Sequence, residues 1–180
     1  GEGGIVITNS SKKIFDEIKL YRNHGVDKKR YFHLLPGSNF RLTNLQAAIG
    51  CSQLKRINSI KKRRNEIFYL YKEILKKNND IKFQKFKKGI SPMIWTMAIN
   101  LNGEKRLNRD ELIKSMLKRK IETRNGFYSP NYLDIYKKFK SKELKVGDKI
   151  SKNIICLPIY NSLSDKDVRF IAKNFLDLLD

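Results

Sequence analysis

Gly37-Ser38-Asn39-Phe40-Arg41-Leu42-Thr43-Asn44-Leu45-Gln46-Ala47-Ala48-Ile49-Gly50 changes backbone state within one short stretch. Pro36, Gly37, Ser38 and Asn39 are turn formers. Thr43 followed by Gln46 is a capping-box signature: the Thr hydroxyl accepts from the N–H three residues on, and the Gln side chain reaches back to the N–H of Thr43. An irregular loop therefore ends, and a helix begins, at a defined residue.

Downstream, Leu45, Ala48, Ile49, Leu54, Ile57, Ile60, Ile67, Tyr71 and Ile74 recur at three-, four- and seven-residue intervals. This spacing predicts one long helix ended by Asn78, Asn79 and Asp80. At 1.5 Å per residue it would run about 50 Å, a length suited to linking two domains or meeting a subunit interface. Upstream, Gly4-Ile5-Val6-Ile7-Thr8 reads as a buried strand. Ser10 and Ser11 are cap candidates for a helix carrying Ile14, Phe15, Ile18 and Tyr21, ended by Gly25. Between them, residues 26–42 form an irregular stretch of a length that is often functional. Its His33, Asn39 and Arg41 are candidate binding side chains.

Beyond residue 80 the period shortens. Ile81 to Phe86 alternates with period two, and Met93 to Leu101 reads as a second strand. A helix capped by Asn108 follows, then a short strand Ile121-Glu122-Thr123-Arg124, a small helix around Leu133, Ile135 and Tyr136, and a helical Val146–Ser151. Ile154-Ile155-Cys156-Leu157 is a strand ended by Pro158, and Ser164 caps the last helix. The order β-β-α-β-α-α-β-α describes a small α+β domain, with a boundary expected near residue 80.

The chain has 180 residues, 40% of them apolar and 11% aromatic, so it has a core to bury and is not a disordered tail. No run of about 18 apolar residues offers a membrane-spanning helix. The opening Gly1-Glu2-Gly3-Gly4 lacks the basic and apolar regions of a signal peptide, and the absence of an initial Met leads us to expect residues before Gly1. Cys51 and Cys156, each among apolar neighbours, are expected to be two buried thiols, not a disulfide or zinc site. Their use fits a reducing cytoplasm. His24 and His33 have no Cys or carboxylate cluster beside them, so no metal site is expected.

Lys and Arg number 39 against 18 acidic residues, for a net charge of +21. Such a balance is the footprint of a phosphate-binding protein. But Lys outnumbers Arg by 28 to 11, and Ile and Asn are also abundant, as AT-rich codons dictate. A Lys-heavy solvated surface accounts for most of the charge. Lys61-Lys62-Arg63-Arg64 lies within a helix, where adjacent residues cannot share one face, so it reads as solvated before it reads as a DNA-contacting stripe. No zinc finger, RNA-binding strand motif or helix-turn-helix supports a nucleic-acid partner. Walker, metalloprotease, nucleophile-elbow and Rossmann signatures are likewise missing. Arg124, at a strand end, offers a planar fork for phosphate or carboxylate.

Together, Gly1 to Thr8, Arg22-Asn23-His24-Gly25, the Gly37–Gly50 stretch and Gln53-Leu54 resemble the DegT/StrS-type PLP-dependent sugar aminotransferases. Ile121 to Arg124, Leu157-Pro158 and Leu163-Ser164 fall where that family has counterparts. The resemblance covers the whole chain but only about the C-terminal half of a typical member. It implies an α/β fold, the C-terminal part of a fold-type-I PLP-dependent transferase. Residues 1–55 would end the large PLP-binding domain, 56–80 would be the long linking helix and 81–180 a small α+β domain.

The resemblance also implies pyridoxal 5'-phosphate as cofactor, glutamate as amino donor, a nucleotide-linked keto-sugar as acceptor, a homodimer and a cytoplasmic, non-membrane location. Asn39 matches the Asn that reaches the PLP phosphate of the partner subunit. His33 and Arg124 match positions near the sugar nucleotide. The cofactor-bearing Lys of the family lies about five residues before the Gly-rich segment, so no catalytic residue is expected in this chain and it should not turn over alone. A branch of the family carries His in place of that Lys and dehydrates sugars. A non-catalytic interaction module is a further alternative. After Arg124 the family's Pro-aromatic-aromatic and Pro-Leu-His are replaced by Asn125-Gly126-Phe127-Tyr128-Ser129-Pro130-Asn131-Tyr132.

Overall fold

The computed structural model describes residues 2–102 and 108–179 and divides into two compact units, Gly1–Ile57 and Asn58–Asp180. Gly1, the first residue of the Gly-rich segment, lies outside the described residues.

The first unit contains α1 (Lys12–Arg22) and α2 (Asn44–Lys55). The capping box forms as its chemistry requires: Gln46 N–H donates to Thr43 Oγ1 at 3.3 Å, and Thr43 N–H donates to Gln46 Oε1 at 2.9 Å. α1 ends differently from expectation. Its left-handed residue is His24 (φ 58°), followed by Gly25 (φ 69°), and Gly25 N–H returns to Leu20 O at 2.7 Å. That is the six-to-one bond of a Schellman ending. Gly25 is nonetheless obligatory, because a Cβ there would collide with the Leu35 carbonyl oxygen.

Two readings of this unit are corrected. Residues 4–8 form no strand, and Ile5, Val6 and Ile7 are 79%, 72% and 90% exposed. A strand exists only through a neighbour's ladder, and among the described residues none pairs with this run. Cys51 is exposed because α2 buries no residue, and Cys156, in the second unit, is only part-buried; both are free.

All of α3 (Ile57–Leu75) but its first residue lies in the second unit. The single long helix of the sequence reading is thus two helices. Arg56 sits between them with φ −103° and ψ 6°, its N–H bonded to Gln53 O in a three-residue step. A one-residue step leaves the three- and four-residue apolar spacing readable on both sides, so the pattern does not register it. The division by contacts falls at Ile57, whereas the sequence placed it near residue 80. Ile67, Phe68, Tyr71 and Leu75 of α3 explain this, for they are buried in the core of the second unit.

That core rests on a four-stranded antiparallel sheet in the order β1-β2-β4-β3, with β1 Ile81–Phe83, β2 Met97–Leu101, β3 Arg124–Asn125 and β4 Ile154–Leu157. Register aligns Met97 with Leu157 and Ile99 with Ile155, so their buried side chains share one face. Onto it pack α3, α4 (Arg109–Lys118) through Leu112 and Met116, and α6 (Asp165–Leu176) through Val168, Ile171, Ala172 and Phe175. α5 (Lys145–Asn153) leads into β4. Asn108 with Glu111 forms the second capping box, and Ser164 Oγ accepts from Asp167 N–H.

The element order matches the sequence reading: β1 and β2 are shorter than expected, β4 has the expected bounds, and the strand expected at 121–124 lies instead at Arg124–Asn125. β2 begins at Met97 instead of Met93 because its partner β4 stops at Leu157, before Pro158. Pro has no N–H for a ladder. The freed Pro158 carbonyl accepts instead from the buried Tyr71 hydroxyl at 3.1 Å. Desolvation pushes the Tyr71 hydroxyl pKa upward, so it stays a donor. The small helix expected around residues 133–136 is a 3-10 segment, Asp134–Phe139.

Candidate functional site

In the first unit the loop 23–41 folds back on the end of α1. Asn23 pairs with Asn39 and Val26 with His33 in single antiparallel bridges. Ser38 N–H bonds Tyr21 O at 3.0 Å, Phe40 N–H bonds Arg22 O at 3.0 Å and His24 N–H bonds Ser38 O at 3.1 Å. Asn39 is therefore held from both sides through its neighbours' backbone.

Its side-chain carbonyl accepts from Arg41 N–H at 3.4 Å. A backbone N–H can only donate, so the oxygen of the amide faces Arg41 and the NH2 is left over. Among the described residues that NH2 has no hydrogen-bond partner. An exposed amide donor on an anchored backbone suits a phosphate oxygen, so the residues present fit the cofactor contact that the resemblance assigned to Asn39.

His33 lies in the same loop. Its Nδ1 is 2.7 Å from the His24 carbonyl oxygen. Both histidines, with Leu34, Leu35, Pro36 and Gly37, line a cavity of about 500 Å³. The structure thus gathers His24 and His33, which the sequence offered separately.

Arg124 belongs to the second unit, on β3 opposite Cys156. Its Nε and one terminal nitrogen donate to Glu122 Oε1 at 3.1 and 2.9 Å. Both side chains are largely exposed, 78% for Arg124. Such a pair contributes at most about 1 kcal/mol, so the guanidinium can exchange it for an anionic ligand at small cost. After Arg124, Gly126 lets the chain run against β4, because a Cβ would strike the Ile154 side chain.

No sequence pattern signals the polar knot behind this segment. Asp148 on α5 accepts from the Ser129 hydroxyl and from Asn131 Nδ2, the latter at 2.9 Å. Asn131 also brackets Ser141, donating to its carbonyl at 2.8 Å and accepting from its N–H at 3.1 Å. These bonds clamp the residues that follow Arg124. The Ser129 hydroxyl, then the Asn131 amide, hold the Asp148 carboxyl below its ordinary pKa. No spacing rule links residues 129, 131, 141 and 148, so only the tertiary structure could find them.

The basic run is also resolved. Arg63 donates to the Leu163 carbonyl and to Asp165 at 2.8 Å, and Arg64 donates to the Trp95 carbonyl at 2.9 Å and to Asn161 at 3.3 Å. These two side chains tie α3 to two other segments of its own unit, which is neither a solvated face nor a nucleic-acid stripe. The bond to Asp165 raises the Arg63 pKa further. Among the described residues no group of three His, Cys, Asp or Glu could hold a metal, and no helix is long and apolar enough to cross a membrane.

Residues 1–176 match the DegT/DnrJ/EryC1/StrS aminotransferase family. The chain belongs to this family. Among curated relatives it is 33% identical over 184 residues to a GDP-perosamine synthase of Vibrio cholerae, covering 99% of this chain and 50% of that protein. It is 30% identical over 187 residues to the UDP-4-amino-4,6-dideoxy-N-acetyl-beta-L-altrosamine transaminase of Campylobacter jejuni, covering 99% and 48%. Among solved structures, Helicobacter pylori PseC, an aminotransferase involved in pseudoaminic acid biosynthesis, superposes with a TM-score of 0.83 at 26% identity, over 94% of this chain and 47% of that one.

The DegT/DnrJ/EryC1/StrS chain described here thus spans about half the length of the curated relatives it matches. Its fold is α/β, that of the C-terminal part of a fold-type-I PLP-dependent aminotransferase.

Proposed function

We propose that the protein carrying this chain is a PLP-dependent aminotransferase that moves an amino group, with glutamate as donor, onto a nucleotide-linked keto-sugar for glycan synthesis. The names of the two relatives suggest the product class, a perosamine- or altrosamine-type amino sugar, formed from the corresponding keto-sugar. The observation that carries it within this family is the free amide of Asn39, anchored by the bonds of Ser38 and Phe40 to the end of α1. We further propose a cytoplasmic homodimer in which residues 1–55 complete a large domain and 56–80 are the linking helix to the small domain 81–180, into whose core α3 packs.

When bound, pyridoxal phosphate supplies the electron sink on which amino-group transfer depends. The chain's own residues bind and orient. The Asn39 NH2 donates to a phosphate oxygen of the cofactor held by the partner subunit. Arg124 turns from Glu122 to the anionic diphosphate or sugar, with Asp148, Ser129 and Asn131 fixing the segment behind it. His33 faces the sugar. No residue of this chain is assigned the proton transfer.

The test is to incubate the complete gene product with PLP, glutamate and a panel of nucleotide-linked keto-sugars, and to follow the sugar by mass spectrometry. The expected product has gained an amine while glutamate becomes 2-oxoglutarate. A product that has instead lost water would assign the dehydratase branch. No turnover with any member of the panel would sink the proposal. Asn39→Ala should weaken PLP binding about 10-fold, the value of one hydrogen bond to a charged group. Unchanged PLP affinity would remove Asn39 from the site.

A further inference from the structure

The rings of Trp95 and Phe127 meet with centroids 6.2 Å apart and planes tilted by 33°. Trp95 is 64% exposed and Phe127 83%. Two large rings left in water forgo the burial that makes aromatic side chains useful to a core, so folding does not explain the pair.

Their backbones, by contrast, are fixed. Trp95 is flanked by the buried Ile94 and Met97, and its carbonyl accepts from Arg64 at 2.9 Å. The Ile94 carbonyl accepts from the same guanidinium nitrogen at 3.3 Å. Phe127 follows Gly126, whose N–H donates to the Ile154 carbonyl at 3.1 Å. Two residues further on, the buried Ser129 is tied to Asp148. Each ring thus stands on a short segment held on both sides, and a ligand meeting the pair has little backbone left to order.

Arg124 gives the pair its setting. It lies on β3 three residues before Phe127, a span of at most about 11 Å of chain. Among the described residues its guanidinium is bonded only to the exposed Glu122. A nucleotide separates its base from its diphosphate by one ribose, so a ligand with its diphosphate at Arg124 brings its base within reach of the two rings.

We propose that Trp95 and Phe127 form a stacking wall for the nucleobase of the nucleotide-linked sugar, and that this wall favours a purine over a pyrimidine. This deepens the nucleotide-sugar reading above and rests on it. At 6.2 Å the two rings already touch as an aromatic pair, so a base stacks on their outer face and not between them. Every base offers a π-face, and stacking on aromatic side chains holds it without a hydrogen-bond code. A pyranose or a phosphate has no π-face to offer. Two rings side by side make a platform broader than one six-membered ring, and the fused rings of a purine cover more of it.

The test uses the complete protein. Trp95→Phe keeps an aromatic face at this position, and Trp95→Leu removes it at a size close to Phe. Calorimetry compares GDP with UDP for the wild type and both variants. The wild type should bind GDP about 3- to 10-fold tighter than UDP. Trp95→Leu should weaken GDP about 10-fold and UDP less, while Trp95→Phe should stay within about threefold of wild type. Phe127→Leu should weaken GDP about threefold. The fluorescence lost on Trp95→Phe belongs to Trp95, and GDP should quench that emission in the wild type.

Equal losses in Trp95→Phe and Trp95→Leu would make bulk the cause, not the π-face, and overturn the proposal alone. So would an unchanged GDP affinity in Trp95→Leu, a Trp95 emission that bound GDP leaves unquenched, or a wild type that prefers UDP. Failure of the wild type to bind either nucleotide would overturn the nucleotide-sugar reading and this assignment with it.

Discussion

Replacing Arg63 by Met keeps the aliphatic stem and removes the guanidinium, which makes it the sharpest test of what the basic run does. The side chain of Arg63 is 27% exposed and meets three acceptors: the Leu163 carbonyl, Asp165 at 2.8 Å and Glu66 at 3.3 Å. The residue supplying the carbonyl, Leu163, is only 2% exposed. A charge-assisted bond to such a group is worth about 1.5–3 kcal/mol, because its loss leaves a poorly hydrated acceptor. The Glu66 and Asp165 side chains are 48% and 63% exposed, and together add at most about 1 kcal/mol. The expected loss is about 2–3 kcal/mol, carried mainly by the carbonyl.

Urea unfolding followed by fluorescence of the single Trp95 reports on this unit directly. With a slope of about 2 kcal/mol per molar, the midpoint should fall by about 1–1.5 M. Asp165→Asn should cost under about 1 kcal/mol, and the double-mutant coupling should be of similar size. A midpoint for Arg63→Met within about 0.2 M of wild type would refute the assignment of Arg63 as an internal tie. So would a variant of normal stability that had lost affinity for a phosphate polymer, since that outcome would restore the nucleic-acid reading.

Other outcomes follow from the same geometry. Asp148 has a folded-state pKa below the ordinary carboxyl value of 3.8, so its carboxylate stabilises the fold above that value and loses the effect as pH falls through the depressed one. The urea midpoints of wild type and Asp148→Asn should therefore differ at neutral pH and converge only in acid below 3.8; convergence well above that value would contradict the knot. Phe175→Ala empties a fully buried position in α6 and should cost about 3–5 kcal/mol by urea unfolding; a loss under about 1 would remove it from the core. The exposed Ile5, Val6, Ile7, Leu45 and Leu54 should make the chain self-associate with rising concentration in sedimentation velocity, and a monomer throughout would show that this apolar surface is tolerated in water.

The sequence by itself determined the helix starts and the faces of the elements that meet the core. Thr43 with Gln46, Asn108 with Glu111 and Ser164 before Asp167 set helix starts, because a cap is satisfied within three residues. Alternation in Met97 to Leu101 and the three- and four-residue spacing in α3 and α6 marked the core faces, since burial repeats with the backbone period. The Asn39-containing run carried the family.

What depended on distant partners was decided by the tertiary structure. Residues 4–8 have the composition of a strand, yet a strand exists only where another supplies its hydrogen bonds. Arg63 and Arg64 read as surface charge until Leu163, Asp165, Asn161 and Trp95 were brought to them across thirty to a hundred residues. The ring of His33 is held by a carbonyl nine residues away that the loop must first turn toward it. Hydrogen-bond partners far apart in sequence leave no periodic trace in composition, so only the fold could assign them.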